Sequence, residues 1–319
     1  MYFRLRKTSE MKTRILVLLL AIVAVACTKR DEKAAFDLNI SYEVNGKPLA
    51  TDTLAYTNEA GNAFLITEVQ WFLSNIELKD NSGDWVTLHQ RDLSDTLDIS
   101  RVFYIDTNIP ESQTLHAQPI PTGHYSALRF TFGLDETDNY TGLFNDQPES
   151  EMFWPDMLGG GYHYMKLNGK YVNEEGRLMP LAIHLGIGQN EDHSEFYQNY
   201  FIVEIPIDLN IKANTENQLH LAMIIDNWFR NPHTYDFNVW GSHIMQNQSA
   251  QRILNGNGHD VFKIITESDN NQTSMNKSER MEESFRALMK KAAPKPHFWT
   301  WQNVKATIEL IHDKDKERS

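Results

Sequence analysis

At 319 residues, with a formal charge of −13 and 41% hydrophobic residues, the chain can bury a large core and is too acidic to hold nucleic-acid phosphates. Its only cysteine, Cys27, excludes an intrachain disulfide. It has no Gly-rich phosphate loop, G-x-S-x-G elbow or H-E-x-x-H helix, so the common nucleotide-binding and hydrolytic classes have no motif to stand on.

The N-terminus reads as a leader. Arg4, Arg6, Lys7, Lys12 and Arg14 form a basic segment, and Ile15 to Ala26 is an unbroken apolar run. A bilayer-spanning helix needs about 20 apolar residues, so this run has the length of a signal peptide instead. Met11 opens a complete signal in its own right. The run closes on Ala24-Val25-Ala26-Cys27, small residues ahead of a cysteine, which looks like a bacterial lipobox with Ala24 where Leu is usual. Cleavage before Cys27 and acylation of its sulfur would anchor a soluble domain at the outer membrane, on its periplasmic or cell-surface face. Residues 1–26 are therefore predicted to be a lipoprotein signal peptide. Residues 27–35, with the charged run Lys29 to Lys33, are predicted to be a tether. The leader holds five basic residues and one acidic residue, so the mature chain stands near −17.

From Phe36 to about Ile265 the pattern is of short strands set off by turns. Phe36 to Val44 alternates apolar and polar at period two, and Asn45-Gly46 is a hairpin turn signal. Trp71 to Leu78 reads as a strand ending at Asn81-Ser82-Gly83, with Trp85 to Leu88 as its return. Tyr125 to Phe132, Phe201 to Ile207 and Gln218 to Ile225 are further strands. This rhythm predicts an all-β fold, an antiparallel β-sandwich with long loops, over residues 36–265. Residues 266–319 are predicted to be a linker and a partly helical tail. Glu267 to Lys277 is polar, and Met281, Phe285, Leu288 and Met289 make a sparse helical stripe.

Two linked segments carry the chemistry. The first runs from Met152-Phe153-Trp154 through Gly159-Gly160-Gly161 to Tyr162-His163-Tyr164-Met165-Lys166-Leu167. The second is Leu181-Ala182-Ile183-His184-Leu185-Gly186. Thioether and imidazole are soft or borderline ligands that suit copper, and imidazole binds in its neutral form. Convergence of His163 and His184 with Met152 or Met165 would give a site of two nitrogens and one sulfur. Were Tyr162 to Leu167 a strand, His163, Met165 and Leu167 would share one face. Trp154 is a candidate for lining the site. A second constellation, His233 with Asp236, follows Asn231-Pro232, and His233 is a further candidate for lining the site.

The ordered set of segments resembles the MbnP-like family of copper-binding proteins, in the lipoprotein form common among Bacteroidetes. It comprises Tyr56 to Gly61, Val69 to Leu78, Pro121 to Tyr125, Met152-Phe153-Trp154 with Gly161-Tyr162 and Lys166-Leu167, Ile183 to Gly186, His243-Ile244-Met245 and Asp260-Val261-Phe262. The resemblance covers about residues 36 to 265. It implies a β-rich extracytoplasmic domain that binds copper and is not itself an enzyme. It also implies a diheme cytochrome c peroxidase-like partner that oxidises a tryptophan beside the metal, which makes Trp154 the candidate for redox modification. The chain departs from the family pattern where Pro155 to Gly160 intervenes and a second Trp is absent. The alternative reading is a surface-exposed glycan- or peptide-binding lipoprotein using Trp71, Trp85, Trp154, Trp228 and Trp240 as an aromatic platform. A hydrolase built on His233 and Asp236 lacks a recognisable nucleophile.

Overall fold

The computed structural model describes residues 32–266, apart from 94–97, 191 and 193. The predicted signal peptide, Cys27 and the C-terminal tail from 267 onward lie outside the described residues. Among the described residues, fifteen strands follow in chain order. They are β1 (Lys33–Val44), β2 (Lys47–Pro48), β3 (Tyr56–Thr57), β4 (Ala63–Asp80), β5 (Trp85–Thr87), β6 (Val102–Asp106), β7 (Thr114–Pro121) and β8 (Gly123–Phe132), then β9 (Met165–Val172), β10 (Leu178–Leu185), β11 (Gly188–Gln189), β12 (Phe196–Tyr197), β13 (Phe201–Ile211), β14 (Gln218–Ile224) and β15 (Phe262–Ile264). Two α-helices, α1 (Phe237–Trp240) and α2 (Gln248–Asn257), lie between β14 and β15. No helix among the described residues is long and apolar enough to cross a membrane.

The fold is an all-β sandwich. One sheet runs β15-β14-β1-β2, with β7 also paired to β1. The other runs β10-β9-β4-β8-β13, and β3, β5 and β6 pair along β4 as well. The 18-residue β4 organises this second sheet. Its first half pairs with β9 from Phe64 to Trp71, and its second half pairs with β8 from Leu73 to Asp80. The register slips between Ser74 and Glu77. There Asn75 takes a positive φ of 50° and donates to Asp135 Oδ2 at 2.9 Å, a bulge that bends the long strand.

The strands predicted from alternation are present. β1 buries every second residue from Ala34 to Val44, and the turn into β2 uses Asn45 at φ 52° and Gly46 at φ 69°, as a type I′ hairpin requires. Three features differ from the sequence reading. β1 begins at Lys33 and so takes in residues assigned to the tether. β1 pairs with β14 in parallel, so the sandwich is antiparallel-rich and not wholly antiparallel. A parallel pair needs a long crossover, and the chain supplies it by building the opposite sheet between these two strands. Helix α2 was not foreseen. Two of its inward positions, Gln251 and Asn257, are amides that donate to the carbonyls of Ile244, Met245, Trp228 and His233, so no apolar stripe marks it.

The two sheets meet across an aromatic seam. Trp71 on β4 stacks near Phe132 and Phe262, with ring centroids 6.1 and 5.4 Å away, and donates from Nε1 to the Tyr42 hydroxyl on β1 at 2.9 Å. Phe130 and Phe132 also meet Phe262, and Trp228 packs on Phe132. Trp71 thus joins the sheets by both packing and a buried hydrogen bond. Trp71→Ala is expected to cost about 3–5 kcal/mol, the usual penalty for removing a buried large aromatic, and urea unfolding of the variant checks it.

Candidate metal centre

The pleat of three neighbouring strands sets two faces. Met165 lies opposite Trp71 on β4 and Leu185 on β10, while Lys166 lies opposite Gln70 and His184. Partners in register point to the same side, and successive residues alternate. Trp71, Met165, Leu167, Ile183 and Leu185 are fully buried in the core between the sheets. Gln70, Lys166, Asn168 and His184 form a polar row on the other side of the same sheet.

The segment leading into β9 brings His163 to this outer row. It is not the regular strand its sequence suggested. Gly159, Gly160 and Gly161 all take positive φ, and the chain doubles back so that Phe153 bridges to Tyr162 and the Trp154 amide donates to the Gly161 carbonyl at 2.8 Å. The His163 amide then donates to the Met152 carbonyl at 2.6 Å, and the Tyr164 amide to that of Leu185 at 2.7 Å. At Gly161 an added Cβ would collide with the Asn139 side chain, which accepts from the next amide, Tyr162, at 2.8 Å. The fold-back therefore depends on glycine for both its torsions and its clearance.

Three rings meet here. The imidazoles of His163 and His184 lie edge to face, with centroids 5.1 Å apart and an interplanar angle of 82°. Trp154 also meets His163, at 4.7 Å and 77°. Its own Nε1 donates to the Leu158 carbonyl at 3.0 Å, and its six-membered ring packs on Gly186. His163 is 5% exposed and Trp154 is wholly buried. His163 Nδ1 is 2.9 Å from the Met152 carbonyl, which can only accept, so Nδ1 carries the proton and Nε2 keeps its lone pair. That Nε2 is buried without a hydrogen-bond partner.

Both rings are held neutral. Burial lowers the pKa of His163 to about 3, with Coulombic repulsion from His184 and Lys166 adding to the effect and the Met152 carbonyl opposing it. Burial also lowers His184 to about 4, and Lys166 and His243 push in the same direction. Lys166 is itself pulled down by burial, against the attraction of Glu151, Glu68 and Asp106, and its Nζ donates to the Glu151 carbonyl at 2.6 Å. The donor set, two neutral imidazoles with one orphaned nitrogen, fits a soft or borderline metal ion. No three of His, Cys, Asp and Glu gather into a cage among the described residues.

The structure brings together His163, His184 and Trp154. Met152 reaches His163 through its carbonyl, while its side chain is part of the apolar core. Met165 does not join the pair. The alternation that exposes Lys166 turns Met165 inward, opposite Trp71 and Leu185. His233 is also elsewhere. It is an exposed loop residue held by Asn257 and lying near Gly256, at the end of α2. Its proposed companion Asp236 instead caps α1 by accepting from the Asn238 amide. The aromatic platform of the alternative reading is not assembled. Trp71, Trp154 and Trp228 are buried, and the Arg129 guanidinium covers Trp85 at 3.9 Å. Lys166 and Asn168 were missed at the sequence level, although their alternation with Met165 and Leu167 marks them as the outward set.

Two outcomes test this geometry. A Cβ at Gly186 would sit 2.5 Å from Trp154 Cε3, so Gly186→Ala should displace the indole, flatten its near-ultraviolet circular dichroism and cost about 1–3 kcal/mol. The metal-free protein should also lose stability in acid. The unfolded chain takes up protons on these histidines below about pH 6.5, while the folded chain resists until about pH 4 for His184 and about pH 3 for His163. Stability should therefore fall as pH drops through this window. His163→Gln should show a shallower fall in urea titrations between pH 7 and pH 4.

Comparison with known proteins places the chain in a family. Among solved structures, MbnP from Methylosinus trichosporium is similar to this chain at 15% sequence identity, with a TM-score of 0.45, covering 64% of this chain and 80% of that one. No curated protein matches the chain. The MbnP family model matches residues 33–247, from the first residue of β1 to the residue that caps α2. A match over well over half of the sequence, spanning both halves of the ring cluster, shows that this protein belongs to the MbnP family.

Proposed function

We propose that this chain is a lipid-anchored, extracytoplasmic metal-binding protein that holds a copper ion between His163 and His184 and is not itself catalytic. One observation carries the reading: a buried imidazole nitrogen, His163 Nε2, has no hydrogen-bond partner and lies in a ring that faces a second neutral imidazole. Buried polar atoms are satisfied in the great majority of cases, so an orphan in a histidine pair points to a ligand. Imidazole alone suits zinc, copper, iron and nickel. Family membership and the pair of imidazole donors favour copper over a hard cation. Trp154 is the aromatic side chain against His163 on which oxidative modification by a diheme peroxidase-like partner would add donors to the pair. The lipobox-like Ala24 to Cys27 supports anchoring at the outer membrane.

The test is elemental analysis of the mature protein after copper loading and removal of free metal. About one copper per chain is expected, and it should be lost in His163→Ala and His184→Ala while circular dichroism shows the fold retained. Unchanged stoichiometry in both variants would overturn the assignment of the site.

A further inference from the structure

The polar row on the outer face contains a chain of hydrogen bonds that ends on His184. Asn168 lies opposite Glu68 on β4 and Ala182 on β10, on the same side as Lys166 and His184. Its Nδ2 donates to Glu68 Oε2 at 3.1 Å, and Asn108 Nδ2 donates to the other carboxylate oxygen, Oε1, at 2.8 Å. Its Oδ1 is 2.9 Å from His184 Nε2.

We propose that Asn168, oriented by Glu68, is a positioning residue that fixes His184 with its proton on Nε2 and leaves Nδ1 as its metal donor. The inference deepens the reading of the histidine pair as a metal seat and rests on it. A carboxylate oxygen only accepts, so the NH2 end of the Asn168 amide has to face Glu68. The amide oxygen then faces His184, and it too only accepts, so Nε2 must carry the proton. In a neutral ring the lone pair is left on Nδ1. His163 is fixed in the opposite sense, with Nδ1 donating to the Met152 carbonyl and Nε2 free. The two histidines thus present unlike nitrogens, one distal and one close to the backbone. Hydrogen bonds of this kind to the far nitrogen orient metal-ligating histidines and raise their basicity, and losing one typically weakens binding 10–100-fold.

The tautomers can be read directly in the metal-free protein by long-range nitrogen–proton NMR correlation of 15N-labelled histidine. The wild type should show His184 protonated on Nε2 and His163 on Nδ1. Asn168→Ala should let His184 populate both tautomers and should weaken cuprous-ion binding, measured against a competing chelator, by about 10–100-fold. Asn168→Asp combined with Glu68→Gln reverses the bond between these two side chains, keeps an acceptor facing Nε2 and should retain the wild-type tautomer, which separates positioning from a general effect on folding. A wild-type His184 protonated on Nδ1, or an Asn168→Ala variant with unchanged tautomer, would overturn the proposal. Failure of the wild type to bind copper would overturn the copper reading alone, because the role of Asn168 is read in the metal-free protein.

Discussion

The period-two pleat of β4, β9 and β10 is the constraint from which the site follows. One phase of that alternation gives Trp71, Met165 and Leu185 to the seam between the sheets. The other gives Gln70, Lys166 and His184 to the outer row. A shift of one residue in the pairing of β9 would exchange the two sets, burying a lysine and exposing a methionine. The apolar core is therefore what fixes the register, and the register places His184. Trp71 strengthens this coupling, since it packs against Phe262 and bonds to Tyr42 on the opposite sheet while lying in register with Met165.

The sheet supplies only one of the two imidazoles. His163 arrives from the loop before β9, and its position depends on the fold-back through Gly159, Gly160 and Gly161 and on the anchoring of its own amide and ring to one carbonyl, that of Met152. A site shared between a rigid strand and a tightly bonded loop is held without needing either element to be long. Trp154 closes it from the side. Its ring fills the space that Gly186 leaves open, so a residue two positions beyond His184 on the chain shapes the wall against which His163 rests.

Much of the fold was legible because alternation and turn chemistry are local. The pattern of β1, the Asn45-Gly46 hairpin and the strands over 125–132 and 201–207 all follow from it. The parallel pairing of β1 with β14 was not legible, because the choice of partner is a long-range matter that strand patterns do not carry. At the site, the pairing of His163 with His184 was readable from residue type and proximity. The exclusion of Met165 was not, since Tyr162 to Leu167 looks like continuous strand. The backbone bonds from His163 to Met152 and from Tyr164 to Leu185 precede a strand that starts only at Met165, and the ring contact with His184 puts His163 on the other side. His233 misled for the converse reason. An imidazole near an aspartate in sequence resembles a pair, yet Asp236 is spent on a helix cap and His233 is drawn toward Asn257.

The energetics of the pair explain why such an arrangement is tolerated. An unsatisfied buried polar atom costs about 1–3 kcal/mol, and His163 Nε2 carries that cost in the metal-free chain. Protonation would not relieve it cheaply, because burial and the neighbouring Lys166 both disfavour a charged imidazole here. A neutral ring is thus the least costly state the surroundings allow. The same surroundings that make the orphan nitrogen unfavourable to the fold also disfavour its protonation, which keeps its lone pair available to a ligand.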